Sequence, residues 1–159
     1  MAVSLRVQVR SVRFGRRRVM RLAQAVLDLL GESSADIGLS FVGDRRMRWL
    51  NHRFRGKNRS TDVLAFALRE ARIPVLSRGV ETVLGDIVIS IPTALRQAKD
   101  GRRSLDEEIV ALLIHGALHL CGYDHERGRA EALRMQHKER MVRRRLGTIT
   151  GFVHRHGRV

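Results

Sequence analysis

The chain has 159 residues, 43% apolar and 4% aromatic, with 31 Lys and Arg against 16 Asp and Glu for a formal charge of +15 at pH 7. That length and apolar content suit a single domain with a real core, and no apolar run approaches the roughly 18 residues of a membrane span. One cysteine, Cys121, excludes an internal disulfide framework and fits a reducing cytoplasm.

The basic residues crowd both ends. Seven arginines precede the first acid, Asp28, and six follow the last, Glu139. Such a bias marks a polyanionic partner; Arg-rich codon usage is the bland alternative. With so few aromatic residues, a base-stacking platform is not expected, and phosphates should dominate any contact with nucleic acid.

In chain order, "SLRVQVRSV" alternates at period two and predicts a strand. "RRRVMRLAQAVLDLLG" sets Val19, Leu22, Ala23, Val26, Leu27 and Leu30 at helical spacing and stops at Gly31. "ADIGLSFVG" predicts a second strand, and Asp44 an N-cap for the short basic helix "RRMRWLNHRFRG". "TDVLAFAL" and "GDIVISI" are strand-length apolar runs, split by a polar loop around Pro74 and Gly79. Pro92 opens a helix through "TALRQAKD". Ser104 and Glu107 form a capping box ahead of "EIVALLIHGALHL". A last basic helix runs from about Arg129 to Leu146, and the tail "GTITGFVHRHGRV" is expected to be loose. The expected architecture is α/β, a small mixed β-sheet packed with helices, as one domain over residues 1–148 with a basic, flexible tail over 149–159.

The stretch "HGALHLCGYDH" carries the chemistry. His115 and His119 stand four apart on one helix face, so one helix offers two imidazoles to one ion. Gly122 can end the helix in a left-handed turn and swing His125 back as a third ligand. Three neutral nitrogens leave a fourth position open, as in a catalytic zinc site; nickel or copper also suits them. The spacing is zincin-like, HxxxHxxGxxH, but Gly116 stands where metzincin peptidases carry their general-base Glu. A peptide bond needs that base, whereas an RNA phosphodiester has its own 2′-hydroxyl nucleophile and needs positive charge at the phosphate.

The run "HGALHLCGYDH" with Met135 and Glu139 resembles the signature of the YbeY family, bacterial metal-dependent endoribonucleases of rRNA maturation. "LNHRFRGKNRSTDVLAFA", Leu50 to Ala67, is similar to that family's LNxxFRGxxxxTDVLSFP segment, and "LGDIVIS" to its following strand. Ala65 and Ala67 depart from the family's usual Ser and Pro. The resemblance implies that His115, His119 and His125 hold one zinc ion and that Arg55 is the catalytic arginine, a planar fork suited to a phosphodiester. It also implies ribosomal RNA and the small ribosomal subunit as partners, with a ribosomal protein or assembly GTPase as a further candidate, in the cytoplasm.

Other residues have plainer alternatives. Asp124 either orients an imidazole as a carboxylate behind the ligands or only stabilises the turn. Glu108 reads as a surface or first-turn residue, Asp62 and Thr61 as braces of the FRG loop, and Asp86 as a turn residue. Cys121 reads as small and apolar, Met135 as core, and His52 and His137 as surface. His154 and His156 lie in the tail. Three functions follow: a single-strand-directed metal-dependent endoribonuclease; a ribosome-assembly RNA-binding factor with a structural metal; and, least favoured, a zincin-like peptidase or amidohydrolase.

Overall fold

The computed structural model describes residues 3–68 and 83–155. The loop around Pro74 and Gly79, together with His156, lies outside the described residues. Four strands form a mixed sheet in the order β1 (Val3–Val7), β3 (Asp36–Val42), β5 (Val83–Ser90) and β4 (Val63–Ala67). β1, β3 and β5 run parallel and β4 closes one edge antiparallel to β5. The expected small mixed sheet with helices is what the chain builds. Among the described residues, no helix is long and apolar enough to cross a membrane.

Alternation along the strands decides which face is core. Ile37, Leu39 and Phe41 of β3, with Ile87 and Ile89 of β5, are buried in the main cluster. Each such side chain contributes about 1.5–3 kcal/mol on burial. α1 (Arg16–Leu29) and α4 (Leu105–Leu120) supply the other half of that cluster through Val19, Leu22, Val26, Ile109, Leu113 and Ala117. α1 stops as its sequence predicts, with Gly31 at φ 75° just beyond the Leu30 C-cap. Residues facing the other way, Val42, Leu64 and Val88, meet Met47 of α2 (Asp44–Arg55) in a smaller second cluster.

The local signals around α3 (Ile91–Asp100) and α4 act as read. Pro92 lies in the first turn of α3, and Ser104 and Glu107 close a reciprocal capping box on α4. α5 (Arg129–Leu146) spans its predicted length and sends Met135 into the core.

Four expectations are corrected. The first strand is broken, β1 ending at Val7 and a separate β2 (Val12–Phe14) following, because the two pair with different partners. Asp44 is the first residue inside α2 and Gly43 the N-cap; the Asp44 carboxylate instead accepts from Ser60, Ser90, Thr93 and Arg96. Asp86 lies within β5, exposed on the sheet face that α2 leaves open. The tail is not loose through Arg155. β6 (Val153–Arg155) pairs with β2, Phe152 is fully buried, and the buried Asp106 carboxylate accepts from the Phe152 and Val153 amides. A buried aromatic ring and two charge-assisted hydrogen bonds outweigh the tail's polar composition.

Candidate metal centre

His115 and His119 fall on the last two turns of α4, one above the other, with ring centroids 4.7 Å apart. The helix then ends in a Schellman motif: the Tyr123 amide reaches back to the Leu118 carbonyl and the Gly122 amide to that of His119. Gly122 takes φ 95°, which costs a side-chain-bearing residue and costs glycine nothing. That reversal leads into a single 3₁₀ turn, His125–Arg127, and sets the His125 ring 5.3 and 5.2 Å from the other two.

One nitrogen from each ring converges, all within 4.8 Å of one another, so the three histidines could hold a metal ion. His119 Nε2 lies 3.1 Å from His115 Nε2. A tetrahedral ion with nitrogen ligands at about 2.0–2.1 Å spaces them by about 3.3 Å, so the donor set fits such an ion. Burial, followed by the neighbouring His115 and His125, pushes the His119 pKa down and keeps its ring in the neutral, ligating form.

The rings are held from behind. Glu139 of α5 accepts from His115 Nδ1 at 2.7 Å; a carboxylate has no hydrogen to give, so Nε2 carries the lone pair toward the centre. The His119 ring bonds to the Tyr123 backbone. Glu139 was visible in the motif, but no orienting role follows from sequence alone. The available signal is its i, i+4 relation to buried Met135, which puts both on the inner side of α5.

Asp124 takes its plainer role. It caps the 3₁₀ turn by accepting from the Glu126 amide at 2.9 Å, pairs with Arg127, and has no hydrogen bond to an imidazole among the described residues. The Glu126 amide, aided by Arg127 and the histidines, holds its carboxyl below the usual range. Cys121 is the C-cap of α4 and packs at the edge of the core, outside the converging group. Glu108 is buried rather than on the surface and is paired with Arg103; burial pushes its pKa up, and Arg103 opposes the shift. His52, His137 and His154 are exposed, outside the cluster.

Arg55 does not join the histidines directly. It ends α2, donates from Nη2 to the Ala65 carbonyl at 2.6 Å and lies 5.2 Å over the Phe66 ring. Ala65 pairs with Ile87, and Ile87 packs under Gly116, beside His115. The FRG loop itself is pinned by Asn51, a buried amide with no role in the sequence reading, which donates to the Arg59 carbonyl at 2.8 Å. Asp62 braces the start of β4 as expected, accepting from the Val63 amide and Gln97.

The fold and site define a class: an α/β protein whose one helix and following turn bring together three histidines that could hold a metal ion. The profile of the endoribonuclease YbeY family matches residues 5–147. Relatives named Endoribonuclease YbeY include one from Anaeromyxobacter sp. (strain Fw109-5), 46% identical over 84% of this chain and 66% of the relative. Another, from Geobacter metallireducens, is 37% identical over 89% of this chain and 93% of its own. The solution structure of TM1509 from Thermotoga maritima shares the fold, with a TM-score of 0.59 over 89% of this chain and 86% of that one at 22% identity. The chain belongs to the endoribonuclease YbeY family.

Proposed function

We propose that this protein is a metal-dependent endoribonuclease that cuts single-stranded segments of ribosomal RNA during maturation of the small subunit, in the cytoplasm, with zinc as its ion. The observation that carries the reading is the convergence of His115, His119 and His125 in a chain of formal charge +15, within a family whose curated relatives bear the endoribonuclease name. When bound, the ion supplies Lewis acidity, bringing positive charge to a phosphoryl oxygen and making a water more acidic.

The chain's own groups do the rest. The Glu139 carboxylate and the Tyr123 backbone fix two imidazoles so that their lone pairs face one point. Arg55 offers further N–H groups beyond the one spent on Ala65, and a guanidinium fork can hold a phosphodiester by two parallel bonds as its charge grows. Gly116 argues against peptide hydrolysis. A Cβ there would lie 2.9 Å from Ile87 Cγ2, so a side chain at this position runs into the sheet and not toward the histidines.

The test is reconstitution. Rigorously purified, metal-depleted protein should leave structured RNA intact and regain cleavage with one equivalent of zinc. His115→Ala should fail to bind the metal, and Arg55→Glu should bind it but not cut. Intact cleavage in either variant sinks the reading. RNA binding that survives chelation, with no cleavage by the loaded protein, would favour an assembly factor with a structural metal.

A further inference from the structure

We propose that the outer face of α2, with Trp49 and Phe54 at its centre, is a stacking platform for the unpaired bases of the RNA substrate. This deepens the endoribonuclease reading and rests on it for the identity of the strand. The chain has one Trp, one Tyr and five Phe, and the core takes most of them. Yet Trp49 is 52% and Phe54 56% exposed, on a helix whose buried side needs only Met47 and Asn51. Large rings left in water on one helix face represent unspent binding surface.

Their arrangement points to bases. Trp49 and Phe54 stand edge to face at 6.4 Å, and Phe54 meets Phe66 of β4 at 5.4 Å, giving a continuous line of three rings. A guanidinium accompanies each: Arg46 lies 4.7 Å from the Trp49 centroid, Arg53 6.0 Å from that of Phe54, and Arg55 5.2 Å from that of Phe66. Rings take the flat faces of bases, and the cations beside them take the phosphates between.

Charge selects the partner. From Arg45 to Thr61 there are seven Lys and Arg and no acid, and all seven cations are exposed. A basic protein partner would be repelled and a neutral one gains nothing from the charge, whereas a polyanion is drawn in. Beyond Phe54 and Phe66, α2 covers only one end of its sheet face, and the remainder is an open groove of about 690 Å³. Gln8, Ser40 and Asp86 line it, offering donors and acceptors to a base edge, and Arg6 and Arg46 line it as well, offering guanidiniums to phosphate. In a duplex the base faces are already stacked, so the platform selects single strands.

Trp49 is the sole tryptophan, so its fluorescence reports on the platform directly. The full-length protein in chelator is titrated with an oligouridylate of about 12 nucleotides, with the same strand in a duplex, and with inorganic polyphosphate. The single strand should quench Trp49, while the duplex binds more weakly and polyphosphate binds without quenching. Trp49→Ala should weaken binding of a labelled single strand about ten-fold, and Trp49→Phe should restore most of it. Equal quenching by polyphosphate, or unchanged affinity in Trp49→Ala, overturns the proposal. Cleavage by metal-loaded Trp49→Ala with an unchanged KM also overturns the platform and leaves the nuclease standing. Quenching by a strand that the loaded protein never cuts supports the platform and removes the nuclease.

Discussion

Glu139 and Gly116 lie around the same imidazole pair and act on it in opposite ways, one by contact and one by having nothing to contact with. Glu139 sets the tautomer of His115 across the gap between two helices, at 2.7 Å. Carboxylates behind a ligating histidine are worth about 10–100-fold in metal affinity. Glu139→Ala should therefore weaken zinc binding by about that factor, measured by competition with a chromophoric chelator, and Glu139→Gln by less. Unchanged affinity in the alanine variant would show that the contact does not orient the ligand. Gly116 works through absence. By leaving the Ile87 side chain room, it lets α4 settle close on β5 and carry His115 with it. The same closeness that removes a metzincin-type base is what positions the helix.

Among the elements, α2 has little apolar support and strong polar anchoring. Met47 joins a small cluster, while the Asp44 carboxylate gathers hydroxyls from Ser60, Ser90 and Thr93 and a guanidinium from Arg96. One carboxylate thus ties the helix to β5, α3 and the loop before β4. Burial alone would raise its pKa, but the bonds from Ser90, Thr93, Arg96 and Ser60 outweigh it and hold the group far below the ordinary carboxylate range. A depressed folded-state pKa contributes stability that is complete above the unfolded value of about 4 and is lost as pH falls below it. Asp44→Asn should cost about 1–3 kcal/mol near neutrality and flatten the fall in urea midpoint as pH drops below about 4. A variant with the wild-type acid slope would show that Asp44 is not its source. The platform proposed on α2 depends on this anchoring, because stacking energy is gained only by rings already held in place.

For the whole molecule, the arginine excess is divided between fold and partner. Arg16 donates to the Leu5 carbonyl and Arg18 to that of Gly151, so part of the N-terminal run serves the fold, with Arg18 tying it to the C-terminal segment. The C-terminal segment completes this closure. Phe152 belongs to the main core, and β6 pairs with β2. Phe152→Ala should lower stability by about 3–5 kcal/mol in urea unfolding, far more than a loose tail could lose. A change within about 0.5 kcal/mol would restore the tail to a disordered appendage. Other cations, among them those on α2 and the last turn of α5, leave a formal +15 chain free to attract a polyanion from a distance.

The convergence of the three histidines was legible in the sequence because the turn that brings them together is local. Two histidines a helical turn apart, one glycine that permits a left-handed turn and one histidine just beyond it bring the three rings together without reference to the rest of the chain. The capping box of α4 and the span of α5 were legible for the same reason. What only the tertiary structure decided comes from contacts between residues far apart in sequence, which no period or spacing encodes. Those contacts give Glu139 its place behind His115, make Asp44 an anchor instead of a cap, and bury Phe152 in a tail of polar composition. They also leave Trp49 and Phe54 exposed on α2, where composition alone could not have placed them. Composition counts rings, but packing determines which of them face water.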